Sequence, residues 1–210
     1  MSYITNYRWY WVGLLAVIVI GLGVWHYEDT RPGPILTELS TFHSGNFTFV
    51  YPRTYEAKEY ATGVVSVGEN YQNAGFIPLV DVVRYKADPD VAQPVSFDAF
   101  MKKQVTALCG SDDSTQSITC TNPVVKPYTS TSGVAGSEVN VTLTKKNLST
   151  GAVTTATYGP IYVFNSTDTT STPVRYQGVF VYPTFSSFIL VGTTSPAFVE
   201  SLATTIAISK

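Results

Sequence analysis

The hydrophobic residues of this chain begin as one continuous run and later alternate with polar ones. Residues Trp9 to Tyr27 (WYWVGLLAVIVIGLGVWHY) include no acidic or basic side chain. As a helix rising 1.5 Å per residue, about 19 residues reach roughly 28 Å, close to the hydrocarbon thickness of a bilayer. Amphipathic rings favour the bilayer interfaces, and such rings stand at both ends of the run: Trp9, Trp11, Trp25 and Tyr27. The pattern predicts a transmembrane helix.

The charges beside this run indicate how such a helix is oriented. Arg8 is the only basic residue before it, and Glu28 and Asp29 follow it. Because basic residues favour the cytoplasmic side, we expect a signal anchor over residues 1–28, with the N-terminus inside and the rest of the chain outside the plasma membrane. The lipid bilayer is then the first partner of this single-pass protein. The alternative is a cleaved signal peptide with Val12 to Ile20 as its apolar core.

A second pattern begins after the run. The Pro-Gly-Pro sequence at residues 32–34 cannot continue a helix, and it predicts an extended linker over residues 29–44 and a folded domain over residues 45–210. In this domain apolar and polar residues alternate, which predicts strands, and short connections favour antiparallel pairing. The predicted strands are Phe47 to Tyr51, ended by Pro52, and then Val64 to Val67, Ile77 to Tyr85, Val124 to Thr129, Val134 to Lys145, Val153 to Phe164, Val174 to Tyr182 and Ser186 to Val191.

Two segments have helical spacing instead. From Ser96 to Leu108 the apolar residues recur every three or four positions, and Ser96 is a suitable N-cap. Pro196 to Ile206 has similar spacing, with Ser195 as the cap and proline at the first helical position. Strands with helices separated along the chain predict an α+β fold, a mostly antiparallel sheet with helices packed on it. An all-β sandwich is the alternative.

This order of elements resembles the PsbP-like fold, the α/β/α domain named for an extrinsic protein of photosystem II. The resemblance rests on Phe47 to Pro52 (FTFVYP), on the helix at Ser96 after the strand Ile77 to Tyr85, and on Thr193 to Ser195, which lead into the last helix. Tyr55 stands where the family usually has a tryptophan. The resemblance spans most of the domain and implies a binding or assembly factor rather than an enzyme, but it transfers no functional residue.

Composition excludes one class of partner. Charged residues make up 13% of the chain and the net charge is −2, whereas an average soluble domain is about 25% charged. No basic stripe is present to neutralise phosphates, so we expect no nucleic-acid partner. Serine, threonine, tyrosine and valine replace the missing charges, which favours strands and fits an exported domain.

The two cysteines suggest a covalent crosslink. Cys109 and Cys120 enclose a short polar stretch. In an oxidising compartment, a pair this close in sequence predicts one disulfide that closes a loop. Two unrelated thiols are the alternative.

Residues suited to catalysis or to metal binding are sparse. The only histidines, His26 and His43, fall at the end of the predicted membrane helix and in the predicted linker. The chain therefore shows no pattern for a Ser-His-Asp centre or for a metal site built on histidine and cysteine. We predict that the protein is not an enzyme and has no cofactor or metal.

Asp81 is an exception within an apolar strand. It interrupts Ile77 to Tyr85, and the interpretation we favour is a position on the solvated face of the sheet. A buried carboxylate there would need a partner such as Arg84, Arg175 or Lys86.

Aromatic residues provide the candidate interaction surface. The chain has 14 tyrosines and 11 phenylalanines, most of which we expect in the core. Five that lie close in sequence form the candidate partner surface, namely Tyr51, Tyr55, Tyr60, Tyr71 and Phe76.

These features predict a non-catalytic binding or scaffold protein of the cell envelope, anchored by its first helix and contacting another envelope protein. One alternative is a pilin-like or surface-assembly subunit, although the glutamate usual early in the apolar helix of such subunits is missing. The other is an envelope hydrolase that uses carboxylates from distant strands, for example Asp81 with Glu138.

Overall fold

The computed structural model describes residues 38–72, 75–89, 94–109, 111–112, 115–170, 174–185 and 195–209, and strands dominate this part of the chain. In chain order the elements are β1 (Leu39–Ser44), β2 (Phe47–Pro52), β3 (Glu56–Ala61), β4 (Val64–Tyr71), β5 (Gly75–Lys86), α1 (Phe97–Ala107), β6 (Ser111–Asp112), β7 (Gln116–Thr129), β8 (Ala135–Asn147), β9 (Val153–Asn165), β10 (Gln177–Pro183), α2 (Pro196–Thr204) and β11 (Ala207–Ile208).

The strands form two antiparallel sheets. The larger sheet has eight strands in the order β3-β4-β5-β10-β9-β8-β7-β6, and the smaller has the order β1-β2-β11. Most neighbours in the larger sheet are also neighbours in sequence, but β10 lies between β5 and β9 and pairs residue Tyr182 with Asp81. This long-range pair brings the two halves of the chain together at the middle of the larger sheet.

Both faces of the larger sheet are covered by apolar side chains. On one face, α1 buries Phe100, Met101 and Val105 in a cluster with side chains of β8, β9 and β10. On the other face lie Phe47 and Phe49 of β2 together with apolar residues of α2. The larger sheet is therefore the middle layer, between α1 on one side and the smaller sheet with α2 on the other.

The predicted α+β class is wrong, because two packed sheets hold most of the described residues and only two short helices accompany them. The fold is a β-rich sandwich, closer to the alternative. Both helices form where their spacing predicts them, with the Ser96 hydroxyl accepting a hydrogen bond from the Ala99 amide at 3.2 Å. The error came from strands without a clear alternating pattern: β1 lies within the predicted linker, and β3 (EAKEYA) has the composition of a charged turn.

The predicted single-pass membrane topology is also corrected. Within the described ranges no helix is long and apolar enough to cross a bilayer, and α1 and α2 have 11 and 9 residues. No described helix therefore provides the predicted signal anchor or supports the plasma-membrane localisation that follows from it. The segment on which they were based, Trp9 to Tyr27 with its interfacial Trp11 and Trp25, lies outside the described residues. The predicted strand Ser186 to Val191 lies outside them as well.

The predicted disulfide is confirmed. Cys109, just after α1, is bonded to Cys120 of β7, and both side chains are buried. The crosslink joins the C-terminal end of α1 to the larger sheet, next to the apolar cluster that the helix covers.

We expect loss of this disulfide to destabilise the domain. Closing a loop of this length restricts the unfolded chain, and its removal should lower the free energy of unfolding by about 2–3 kcal/mol. Urea denaturation of the oxidised protein and of the double variant Cys109→Ala/Cys120→Ala measures this difference. Adding a reductant should destabilise the native protein and leave the double variant unchanged. Equal stability of the oxidised protein and the double variant would contradict the prediction.

At Gly68 the backbones of β4 and β5 approach each other closely. The register between these strands shifts at Val67 and Gly68. A Cβ atom added at Gly68 would lie 2.0 Å from the carbonyl oxygen of Ile77. Because this neighbour is backbone, it cannot rotate away, so only glycine fits at this position.

The variant Gly68→Ala should therefore lose about 3 kcal/mol or more of unfolding free energy, because it forces β4 and β5 apart. Gly133→Ala is the matched control: Gly133 has a φ of 76°, and an added Cβ would meet no described atom within 4 Å. The free energy of unfolding of Gly133→Ala should fall by only about 1 kcal/mol, the cost of placing an alanine at a positive φ. Urea denaturation measures both, and an equal loss in the two variants would show that the contact at Gly68 is unimportant.

Candidate functional site

A cavity of about 410 Å³ opens between α1, the central strands β5 and β10, and the segment that follows β10. It combines hydrogen-bonding groups with apolar and aromatic side chains. The lining residues are Asp81, Tyr85, Gln104, Ala107, Leu108, Tyr182, Thr184 and Phe185. We call this space the Asp81 cavity, since Asp81 is the one acidic or basic residue among the eight.

Strand pairing places Asp81 in this cavity. Asp81 of β5 lies directly opposite Ser66 of β4 on one side and Tyr182 of β10 on the other. Neighbours in such a row point to the same face of a sheet. The Ser66 hydroxyl donates a hydrogen bond of 2.5 Å to Oδ1 of Asp81. Asp81 is half-buried on the face of the sheet that α1 partly covers, rather than on a freely solvated face.

The enclosure changes the acidity of this carboxyl. Burial raises the pKa of Asp81 above its ordinary value, because leaving water disfavours the charged form. The hydroxyls of Ser66 and Thr184 act in the opposite direction and lower the pKa of Asp81, but burial has the larger effect. The Thr184 hydroxyl is itself buried and makes no hydrogen bond of regular geometry. Its influence on Asp81 is therefore better described as a nearby dipole than as a formed bond.

Two tyrosine hydroxyls form the polar wall beside Asp81. Tyr85 and Tyr182 share a hydrogen bond of 3.0 Å between their hydroxyl oxygens. Burial is the main cause that raises the pKa of each of them, and the charge of Asp81 contributes in the same direction. Both hydroxyls therefore stay protonated at neutral pH and can donate hydrogen bonds to a bound molecule.

Helix α1 supplies the opposite wall. Gln104, Ala107 and Leu108 are spaced three and four residues apart, so they occupy one side of the helix end. The helix packs on β7, β8 and β9. The cavity lies next to the helix, above the part of β5 and β10 that includes Asp81, Tyr85 and Tyr182. The disulfide at Cys109 fixes the helix end one residue after Leu108.

The segment after β10 is held in place from two sides. The Thr184 amide donates to the carbonyl of Leu79 at 2.8 Å, and the buried Tyr158 hydroxyl donates to the carbonyl of Pro183 at 2.5 Å. The ring of Phe185 packs edge-on against Tyr158, with centroids 5.7 Å apart. These contacts position Thr184 and Phe185 before any ligand is present.

The structure does not bring together the two acids of the hydrolase hypothesis. Glu138 pairs across the sheet with Tyr162, which belongs to the core on the α2 side, and it lies 3.9 Å from the ammonium of Lys126. Asp81 faces α1, so the two carboxylates lie on opposite faces of the larger sheet. No three histidine, cysteine, aspartate or glutamate side chains cluster as a metal site in the part of the chain that the structure describes.

The basic residues suggested as partners for Asp81 have other surroundings. The guanidinium of Arg84 donates to the Asn46 side chain at 2.9 Å and packs beside Gly45 and Gly63, on the face away from the cavity. The backbone of Arg175 forms an isolated antiparallel β-bridge with that of Asp168. Among the described residues, the hydrogen bond of regular geometry to the Asp81 carboxyl comes from Ser66.

The five aromatic residues of the candidate partner surface do not form a single cluster. Tyr51 and Tyr55 pack against the core on the α2 side, where Tyr55 stacks on Phe198 at 4.3 Å. Tyr71 is 49% exposed and close enough to Tyr55 to interact electrostatically. Tyr60 is 64% exposed on the edge strand β3, and Phe76 lies under the ammonium of Lys58 at 4.4 Å. Whether any of these residues contacts a partner stays a prediction.

Sequence reasoning singled out Asp81 but missed the other residues of the cavity. One signal was available: Tyr85 follows Asp81 by four positions, which places both on the same face of one strand. Tyr182 and the α1 residues join them only through pairing between distant parts of the chain. The chain matches no protein-family model and no curated protein sequence.

The buried carboxyl predicts a pH dependence of stability. Because the pKa of Asp81 is raised in the folded state, the folded protein binds more protons than the unfolded one between the ordinary value of 3.8 and the raised value. Stability should therefore fall as pH rises through this interval. Asp81→Asn keeps an acceptor for Ser66 but cannot ionise, so we expect it to be more stable than the native protein at neutral pH.

Urea denaturation at neutral pH and below pH 3.8 tests this. The stability difference between the native protein and Asp81→Asn should vanish at the acidic pH, where Asp81 is protonated in both states. Glu138→Gln, on the opposite face, serves as the control for losing a carboxylate. A variant Asp81→Asn that is less stable than the native protein at neutral pH would contradict the prediction.

Proposed function

We propose that this protein is a non-catalytic binding protein whose domain holds a small organic ligand in the Asp81 cavity. The cavity volume of about 410 Å³ carries this proposal, since sites for small molecules usually measure roughly 300–1,000 Å³ and combine apolar walls with a few convergent polar groups. The cavity provides one carboxyl, two tyrosine hydroxyls, an amide and a threonine hydroxyl on one side of the sheet.

The rigidity of the walls supports binding. Four contributing segments are held by tertiary contacts: β5 and β10 by mutual pairing, the end of α1 by the disulfide, and the segment after β10 by the Tyr158 hydrogen bond. A cavity whose walls are already ordered loses little conformational entropy on binding. The buried Thr184 hydroxyl, without a regular hydrogen bond, is a group that a ligand can satisfy.

The chemistry of the cavity favours binding over catalysis. A hydrolase that uses carboxylates needs two acids at a common site, and the nearest candidate for the second, Glu138, lies on the opposite face of the sheet. Ser66 donates to a carboxyl, and no described histidine lies beside it to act as a general base.

A fragment screen by saturation-transfer NMR tests the proposal. The library contains amines, carboxylic acids and neutral aromatic molecules, and hits are compared between the native protein and Ala107→Trp. Ala107 lines the cavity on α1, so an indole there should narrow the space. We expect hits on the native protein whose affinity falls at least about tenfold in this variant.

Lys102→Trp is the matched control, since Lys102 is exposed and lies five residues from Ala107, about 140° around the same helix. It should bind the hits as the native protein does. The proposal fails if no fragment binds the native protein, or if the hits bind Ala107→Trp as tightly as Lys102→Trp. Circular dichroism verifies that both variants are folded.

A further inference from the structure

The charge balance of the Asp81 cavity indicates what kind of ligand it takes. Asp81 is the only charged residue among the eight that line it, and none of the eight is a lysine, arginine or histidine. An ionised carboxylate enclosed in this way has lost part of its hydration, and a hydroxyl hydrogen bond compensates for only part of that loss. The site therefore has an unmatched negative charge at its polar end.

Three described cationic side chains near the cavity have other partners. Lys58 faces the same side of the sheet from β3, opposite Ser66, but its ammonium lies 3.5 Å from Glu56 and over the ring of Phe76. Lys102 of α1 lies 2.8 Å from Asp98. Arg84 follows Asp81 on β5 but projects to the other face, as its bond to Asn46 shows.

The remaining walls suit an organic cation. Three aromatic side chains line the cavity, namely Tyr85, Tyr182 and Phe185, and aromatic faces attract cations most strongly where water is excluded. Leu108 and Ala107 supply an apolar surface on the helix side. Gln104 and the tyrosine hydroxyls offer further hydrogen-bond acceptors for an N–H group.

We propose that the ligand of the Asp81 cavity is a protonated organic amine, with its ammonium group on the Asp81 carboxylate and its apolar part against Leu108 and Phe185. This inference rests on the proposed function and specifies the ligand class. A bare inorganic cation would leave the apolar walls unused, and an anionic ligand would meet the carboxylate with like charge. A neutral molecule would leave that charge unmatched.

Three probes of similar shape test the inference by isothermal titration calorimetry: benzylammonium, benzyl alcohol and benzoate. We expect benzylammonium to bind at least about tenfold more tightly than benzyl alcohol, and benzoate to bind most weakly, because only the ammonium pairs with Asp81. In Asp81→Asn the affinity for benzylammonium should fall at least about tenfold, while that for benzyl alcohol changes little. Glu138→Gln should leave all three affinities as they are in the native protein.

A second measurement uses the native protein alone. The affinity for benzylammonium should increase as pH rises through the pKa of Asp81, since the amine stays protonated and only the carboxyl changes charge. The other groups that face Asp81 do not titrate in this range: the hydroxyls of Ser66 and Thr184, the Gln104 amide, and the phenols of Tyr85 and Tyr182, whose pKa values are raised. The ammonium of Lys58 on β3 faces the same side of the sheet and pairs with Glu56. Benzyl alcohol should show no such pH dependence.

The outcomes separate this inference from the proposed function. If benzyl alcohol or benzoate binds as tightly as benzylammonium, or if amine binding is independent of both pH and Asp81→Asn, the ligand is not recognised as a cation; the cavity is still a binding site. If fragments bind at the cavity but benzylammonium does not, the amine inference alone is overturned. If the fragment screen and all three probes give no binding, both proposals fail.

Discussion

The pairing of β5 with β10 is the constraint on which the described domain depends. These strands lie at the centre of the larger sheet and are covered on both faces, by the α1 cluster on one side and by β2 and α2 on the other. The pair joins residues about a hundred positions apart, so it closes the sheet only after a large loss of chain entropy. Valines that alternate between the two faces, such as Val82 and Val83, compensate by burying apolar surface on each side.

This two-sided burial explains why the candidate site lies where it does. A helix covers only part of a sheet of eight strands, and α1 packs on β7, β8 and β9, with its end tied to β7 by the disulfide. Phe100 of α1 reaches Phe180 of β10, but the sheet surface around Asp81 and Tyr182 stays open as the cavity. At this boundary the row of neighbours changes from apolar residues to Ser66, Asp81 and Tyr182. These three polar side chains stand where apolar residues would otherwise cover the sheet beside the helix.

The parts that sequence reasoning predicted are those with strong local signals. Both helices, the disulfide and strand β2 follow from spacing, capping and cysteine separation. Strands β1 and β3 were missed because their residues alternate weakly or carry charge; they form at sheet edges, where partners rather than intrinsic preference stabilise them. The fold is a β-rich sandwich rather than the predicted α+β arrangement because β1, β2 and β11 form a second sheet. No local sequence pattern indicates that β11 pairs with β2. At the site, the sequence identifies Asp81 as unusual within an apolar strand. It does not predict that β10 pairs with β5 or that α1 forms the opposite wall of the cavity, because both depend on contacts between distant parts of the chain.

The position of Asp81 distinguishes a functional role from a structural one. A buried acid kept for stability is expected to have a cationic partner or several hydrogen bonds, because burial otherwise disfavours its charged form. Asp81 has one hydrogen bond of regular geometry, from Ser66, and burial dominates its pKa. An asparagine would fit the same space and keep that bond without the desolvated charge. A residue that reduces stability where a neutral alternative fits is characteristic of a site selected for what it binds, and the aromatic walls around the carboxyl complete a site for a cation that the protein itself does not supply.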